Sequence, residues 1–163
     1  MASQLIHITL PDGTRKQVPT GCTVRDALNP QGGRLDGKIL AAKVNGAPVD
    51  LFHALDHDAT IEPLTFDSAE GREVYRHSST HIMAQAVKEV FPTAQLTIGP
   101  ALEDGFYYDF AFDRPFTPED LEKIEARAIE ITKRGLAVSR SELSKEDAIK
   151  FFQERGEQYK VEL

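Results

Sequence analysis

Thr65-Phe66-Asp67-Ser68 is a short polar junction that divides the chain. Before that junction, apolar residues come in short alternating runs separated by turn residues. After it, Ala69 to Phe91 reads as one long helix, stopped by Pro92. The domain boundary is placed at this junction, which gives two units, 1–64 and 65–163. A chain of 163 residues is long enough for each unit to bury a core of its own.

The first unit reads as a compact β-rich domain. Leu5 to Leu10 alternates, Pro11-Asp12-Gly13 supplies turn chemistry, and Arg15 to Val18 is the expected return strand. Thr23 is placed to cap a short helix, Val24 to Leu28, which Asn29-Pro30 would stop. Leu40 to Val44 is a further strand, followed by Asn45-Gly46, the strongest hairpin signal in the sequence. A short strand at Ala59 to Ile61 closes the unit before Pro63.

In the second unit, Asp67 or Ser68 is the candidate cap of the long helix, and Gly71 is an awkward residue near its start. Ala94 to Ile98 and Phe106 to Phe112 are expected strands, the latter with Phe106, Tyr108, Phe110 and Phe112 on one face. Thr117-Pro118-Glu119-Asp120 is a helix start; Leu121, Ile124, Ala128 and Ile131 form its buried stripe, and Gly135 ends it. Leu136 to Leu143 is strand-like, Ser144 caps a helix from Lys145 to Arg155, and Gln158 to Leu163 alternates like a strand that stops. That ending suggests a piece of a longer protein.

Bulk properties exclude several classes. A net charge of -7, most of it carried after residue 64, argues against a basic surface for nucleic acid over the whole chain. No run of about 18 apolar residues is present, so no membrane helix is expected. The start, Met1-Ala2-Ser3-Gln4, lacks the features of a signal peptide. The lone Cys22 allows no internal disulfide, and the cytoplasm is the default location. Gly32-Gly33 is not followed by the Lys-Ser/Thr of a P-loop.

The chemistry-bearing stretch is His77-Ser78-Ser79-Thr80-His81. Histidines at i and i+4 lie on one helix face, here with Val74, Ser78, Ile82 and Gln85, and only small hydroxyl residues separate them. A zinc site needs further ligands, and the zinc-peptidase glutamate is replaced by Ser78, so no metal set is visible. Residue types alone favour histidines that are simply packed or exposed over a reactive pair. By the same standard Tyr108 is a core aromatic and Lys160 a solvated lysine.

A resemblance changes those weights. Ile8-Thr9-Leu10-Pro11-Asp12-Gly13 and Lys43-Val44-Asn45-Gly46-Ala47-Pro48-Val49-Asp50 resemble a TGS domain, a ubiquitin-like β-grasp module. Arg76-His77-Ser78-Ser79-Thr80-His81, Ile98-Gly99-Pro100, Gly105-Phe106-Tyr107-Tyr108-Asp109 and Arg155-Gly156-Glu157-Gln158-Tyr159-Lys160-Val161 resemble the second N-terminal domain of bacterial threonyl-tRNA synthetases. The implied fold class is α+β: a small β-grasp followed by an editing domain with a long helix packed on a sheet. Alanyl-tRNA synthetases and free-standing editing proteins share the paired histidines, but the TGS module ahead of them points to the threonine enzyme.

The resemblance implies proofreading by hydrolysis of serine wrongly esterified to threonine tRNA, within a longer enzyme that joins threonine to its tRNA using ATP. His77, His81 and Lys160 would be catalytic and Tyr108 would line the substrate pocket. The implied partners are the acceptor end of tRNA(Thr) carrying serine, the remaining domains of the synthetase and a second copy in a homodimer. No cofactor is implied for these residues; zinc and ATP belong to the catalytic core. The family's pocket is finished by a Cys-x-x-x-His segment with a nearby aspartate, expected beyond Leu163. A TGS-containing binding or regulatory module without catalysis is the alternative.

Overall fold

The computed structural model describes residues 4–29, 31–32 and 35–163. The expectations at Pro30, Gly33 and Met1 to Ser3 lie outside the described residues. Two compact units result, residues 1–75 and 76–163, and the division falls inside the long helix.

In the first unit the strands are β1 (Leu5–Thr9), β2 (Arg15–Pro19), β3 (Cys22–Thr23), β4 (Ile39–Val44), β5 (Ala47–Val49), β6 (Ala54–Leu55) and β7 (Ala59–Thr65), with helix α1 (Val24–Leu28) between β3 and β4. Five of them form one sheet in the order β2-β1-β7-β4-β5, in which only β1 and β7 run parallel. β3 and β6 make a separate antiparallel pair. This is the expected β-grasp arrangement. Alternate residues of β1, Ile6 and Ile8, join Val18, Ala42 and Ile61 in a core closed by Val24 and Ala27 of α1 and by Leu55.

The turn and cap residues act as their chemistry requires. Thr23 and Asp26 form a reciprocal capping box at α1. Asn45 and Gly46 both take positive φ, 50° and 84°, the primed turn that matches strand twist between β4 and β5. One expectation fails here: β7 does not stop before Pro63 but runs through it to Thr65. Its pairing with β1 involves only Ala59 and Thr60, so at Pro63 only the β4 side is paired. A missing N–H costs nothing on an unpaired edge.

Helix α2 (Ala69–Val90) starts at Ser68, whose hydroxyl accepts the Gly71 N–H at 3.0 Å. Gly71 is explained by space: a Cβ there would lie 1.8 Å from the Thr65 carbonyl oxygen. The second unit continues with β8 (Gln95–Leu96), β9 (Ala101–Leu102), β10 (Gly105–Phe106), β11 (Phe110–Ala111), α3 (Pro118–Arg134), α4 (Lys145–Glu154) and α5 (Gln158–Glu162). Its core joins Ala86 and Val87 of α2 to Ile124 and Ile131 of α3, with Ala94 and a group of phenylalanines (Phe91, Phe110, Phe112, Phe116) alongside. Glu89 of α2 takes a two-pronged hydrogen bond from Arg134 of α3, at 3.0 and 3.1 Å.

Several expected elements differ. The two strands expected at 94–98 and 106–112 are one long hairpin with a break: β8 pairs β11 outside, β9 pairs β10 inside. Leu121 is exposed, because the packed seam of α3 begins one turn later at Ile124. Leu136 to Leu143 forms no strand and is exposed throughout. Gln158 to Glu162 is a short helix rather than a strand. Gly156 turns the chain with φ 67°, and the Glu157 carbonyl then accepts the Lys160 and Val161 N–H groups. Two alternating apolar positions over so short a span do not fix a period.

Candidate active site

Helix α2 carries the paired histidines on a face that borders its buried side. Thr80, Ala84 and Val87 are buried, whereas His77, Ser78 and His81 are exposed. Thr80, though it lies between the histidines in sequence, is therefore not part of their exposed face. It points inward and its hydroxyl donates to the His77 carbonyl at 2.7 Å.

The two imidazoles meet edge to face, with centroids 4.8 Å apart and planes at 74°. Their Nε2 atoms are 3.0 Å apart, so one donates and the other accepts. Partial burial, the neighbouring His77 and the Lys160 ammonium together hold the His81 pKa below the ordinary histidine value. At neutral pH His81 is thus an uncharged imidazole beside a cation.

Lys160 stands on α5 and donates to the Thr97 carbonyl at 2.7 Å. Thr97 is itself held in the hairpin, its N–H and hydroxyl both donating to the Asp109 carbonyl, at 3.2 and 2.5 Å. The base of α5 is tied to α2 by an ion pair, Lys88 Nζ to Glu157 Oε1, at 2.9 Å. Lys88 also donates to the Pro92 and Ala94 carbonyls, at 3.2 and 3.0 Å, which fixes its own position.

Tyr108 sits at the break in the hairpin. Its ring lies against Gly99, where a Cβ would come within 2.1 Å of Cδ2, and it stacks on Phe110 with centroids 4.7 Å apart. Burial and the nearby Glu157 carboxylate push the Tyr108 pKa up, so its hydroxyl stays protonated. The structure therefore brings His77, His81 and Lys160 together, and Tyr108 lies near Glu157, whose carbonyl accepts the Lys160 N–H. Among the described residues, no three of His, Cys, Asp and Glu gather as a metal site.

Sequence reasoning named neither Thr97 nor Lys88, and it gave Gly99 and Glu157 no role beyond their place in the motifs. Lys88 could have been found: it follows His81 by seven residues, about two turns, on the same face of α2. The Thr97 contact could not, because it uses a backbone carbonyl that any residue supplies.

Residues 6–65 match the TGS domain family. Over 159 residues the chain is 54% identical to a threonine–tRNA ligase of Symbiobacterium thermophilum, covering 98% of this chain and 24% of that protein. Nearly the whole chain thus matches part of the threonine–tRNA ligases. Two further such ligases, from Anaeromyxobacter dehalogenans and Hahella chejuensis, are 51% and 49% identical, over 99% and 96% of the chain. The chain spans about a quarter of the length of these threonine–tRNA ligases. No helix among the described residues is long and apolar enough to cross a membrane.

Proposed function

We propose that residues 76–163 form part of an editing site that hydrolyses serine esterified to threonine tRNA, within a longer threonine–tRNA ligase. The observation that carries this reading is the Nε2–Nε2 contact of His77 and His81 beside the Lys160 ammonium. In ester hydrolysis, water attacks the carbonyl carbon, an oxyanion forms, and the ribose oxygen leaves with a proton. A neutral imidazole can take the proton of the attacking water, and its partner can return one to the leaving oxygen. Lys160 offers positive charge where the oxyanion develops, and Tyr108 supplies a pocket wall with a protonated hydroxyl.

The physical need for such a site is a single methyl group. A synthetic pocket that admits threonine also admits serine, and one missing methyl discriminates by only about 1–3 kcal/mol. A second site that accepts the smaller side chain and excludes the larger supplies the remaining selectivity. In this reading the partners are the acceptor end of tRNA(Thr) and the other domains of the ligase, which works in the cytoplasm as a homodimer. ATP and zinc belong to its catalytic core.

The test is a charging assay with the longer ligase. His77→Ala or His81→Ala is expected to let serine accumulate on threonine tRNA while threonine attachment continues. Serine-free product from both variants would overturn the reading.

A further inference from the structure

One helix face presents both the imidazole pair and the anchor of the lysine opposite them. His77, His81 and Lys88 occupy the same face of α2, and Lys88 holds Glu157, the residue immediately before α5. We propose that the Lys88–Glu157 ion pair is a positioning device that sets the Lys160 ammonium against the histidine pair. The inference rests on the editing reading for its purpose, but its geometry stands apart from it.

Three observations carry the proposal. First, α5 is a single short helix of 5 residues with no buried side chain and no side-chain cap bond, so local forces alone hold it weakly. Second, Glu157 joins two jobs: its carboxylate pairs with Lys88, while its carbonyl accepts the Lys160 and Val161 N–H groups that make the helical turn. Third, the other carboxylate oxygen, Oε2, is buried with no hydrogen-bond partner among the described residues. Among the described residues, Lys88 is thus the one ionic partner of a carboxylate whose side chain is only 14% exposed. Removing Lys88 leaves a poorly solvated charge, which is relieved when Glu157 turns outward and carries α5 with it.

The consequence is that Lys88 acts on the histidines through Lys160 and not by its own charge. The fall in His81 pKa includes a contribution from Lys160 and none from Lys88. Lys88 and Glu157 are therefore positioning residues, and the readout must be one that mere folding would leave unchanged.

The experiment is an NMR titration of the His81 ring in the 163-residue chain, run on the wild type, Lys160→Met, Lys88→Met, Lys88→Arg and the Lys88→Met/Lys160→Met double variant. The expected result is an upward shift of the His81 midpoint in Lys160→Met and a similar shift in Lys88→Met. No further shift is expected when the two are combined, and Lys88→Arg should restore the wild-type midpoint. An unshifted midpoint in Lys88→Met would overturn the proposal, as would equal additive shifts in both backgrounds. Unfolding by Lys88→Met would also overturn it, marking the pair as structural. If the midpoints behave as expected but Lys88→Met leaves serine removal intact in the longer ligase, the role given to Lys160 in the editing reading fails and the positioning device stands.

Discussion

The Nε2 atoms of His77 and His81 lie 3.0 Å apart, close enough that both cannot carry a proton on that nitrogen while the contact lasts. His81 is held below the ordinary histidine pKa of 6.5, first by burial and then by His77 and Lys160. The folded state therefore resists a proton that the unfolded chain accepts. Stability is full above the ordinary value and falls as pH drops from there through the lowered one. Denaturant midpoints across that window are expected to decline in the wild type and to decline less in His81→Gln.

Gly99→Ala should disturb Tyr108 directly, since the new methyl would lie 2.1 Å from its ring. Overpacking of this kind costs about 1–3 kcal/mol. Denaturant unfolding gives the cost, and the near-UV signal of the tyrosines reports the displaced ring.

Acid should also loosen the entry to α3. Asp120 is buried, accepts from Arg114 and the Thr117 N–H, and is held well below the usual carboxylate range, chiefly by Arg114. Its contribution is present above the ordinary aspartate range and lost as pH falls through the depressed value. Asp120→Asn is expected to lower the melting temperature at neutral pH and to narrow the difference from wild type in strong acid. Thermal unfolding at several pH values checks both.

In the β-grasp unit, Leu55 is 1% exposed and part of the core. Leu55→Ala is expected to destabilise that unit by about 2–5 kcal/mol, read by urea unfolding.

Much of the fold was legible because local chemistry determined it. The caps at Thr23, Thr117 and Ser144, the Asn45-Gly46 turn and the Pro92 stop each need only neighbours in sequence. The misread segments depend on partners far along the chain. Residues 106–112 look like one strand, but the inner half pairs with 101–102 and the outer half with 95–96, and Tyr108 falls at the exchange. Pro63 reads as a terminator in sequence, but one side of β7 is unpaired there and tolerates it. For the candidate site, the i, i+4 spacing placed both imidazoles on one face. Nothing in residue type tied Lys160 to them. That link runs through a backbone carbonyl and an ion pair 69 residues long in sequence, from Lys88 to Glu157.

The most direct measurement is single-turnover hydrolysis of serine and threonine esters of the same threonine tRNA, by a longer threonine–tRNA ligase containing this chain. Wild type is expected to release serine far faster than threonine, and His81→Ala to slow serine release by about 100-fold or more, the scale of a lost acid–base catalyst. Serine release at an unchanged rate in His81→Ala, or equal release of both amino acids by wild type, would contradict the account.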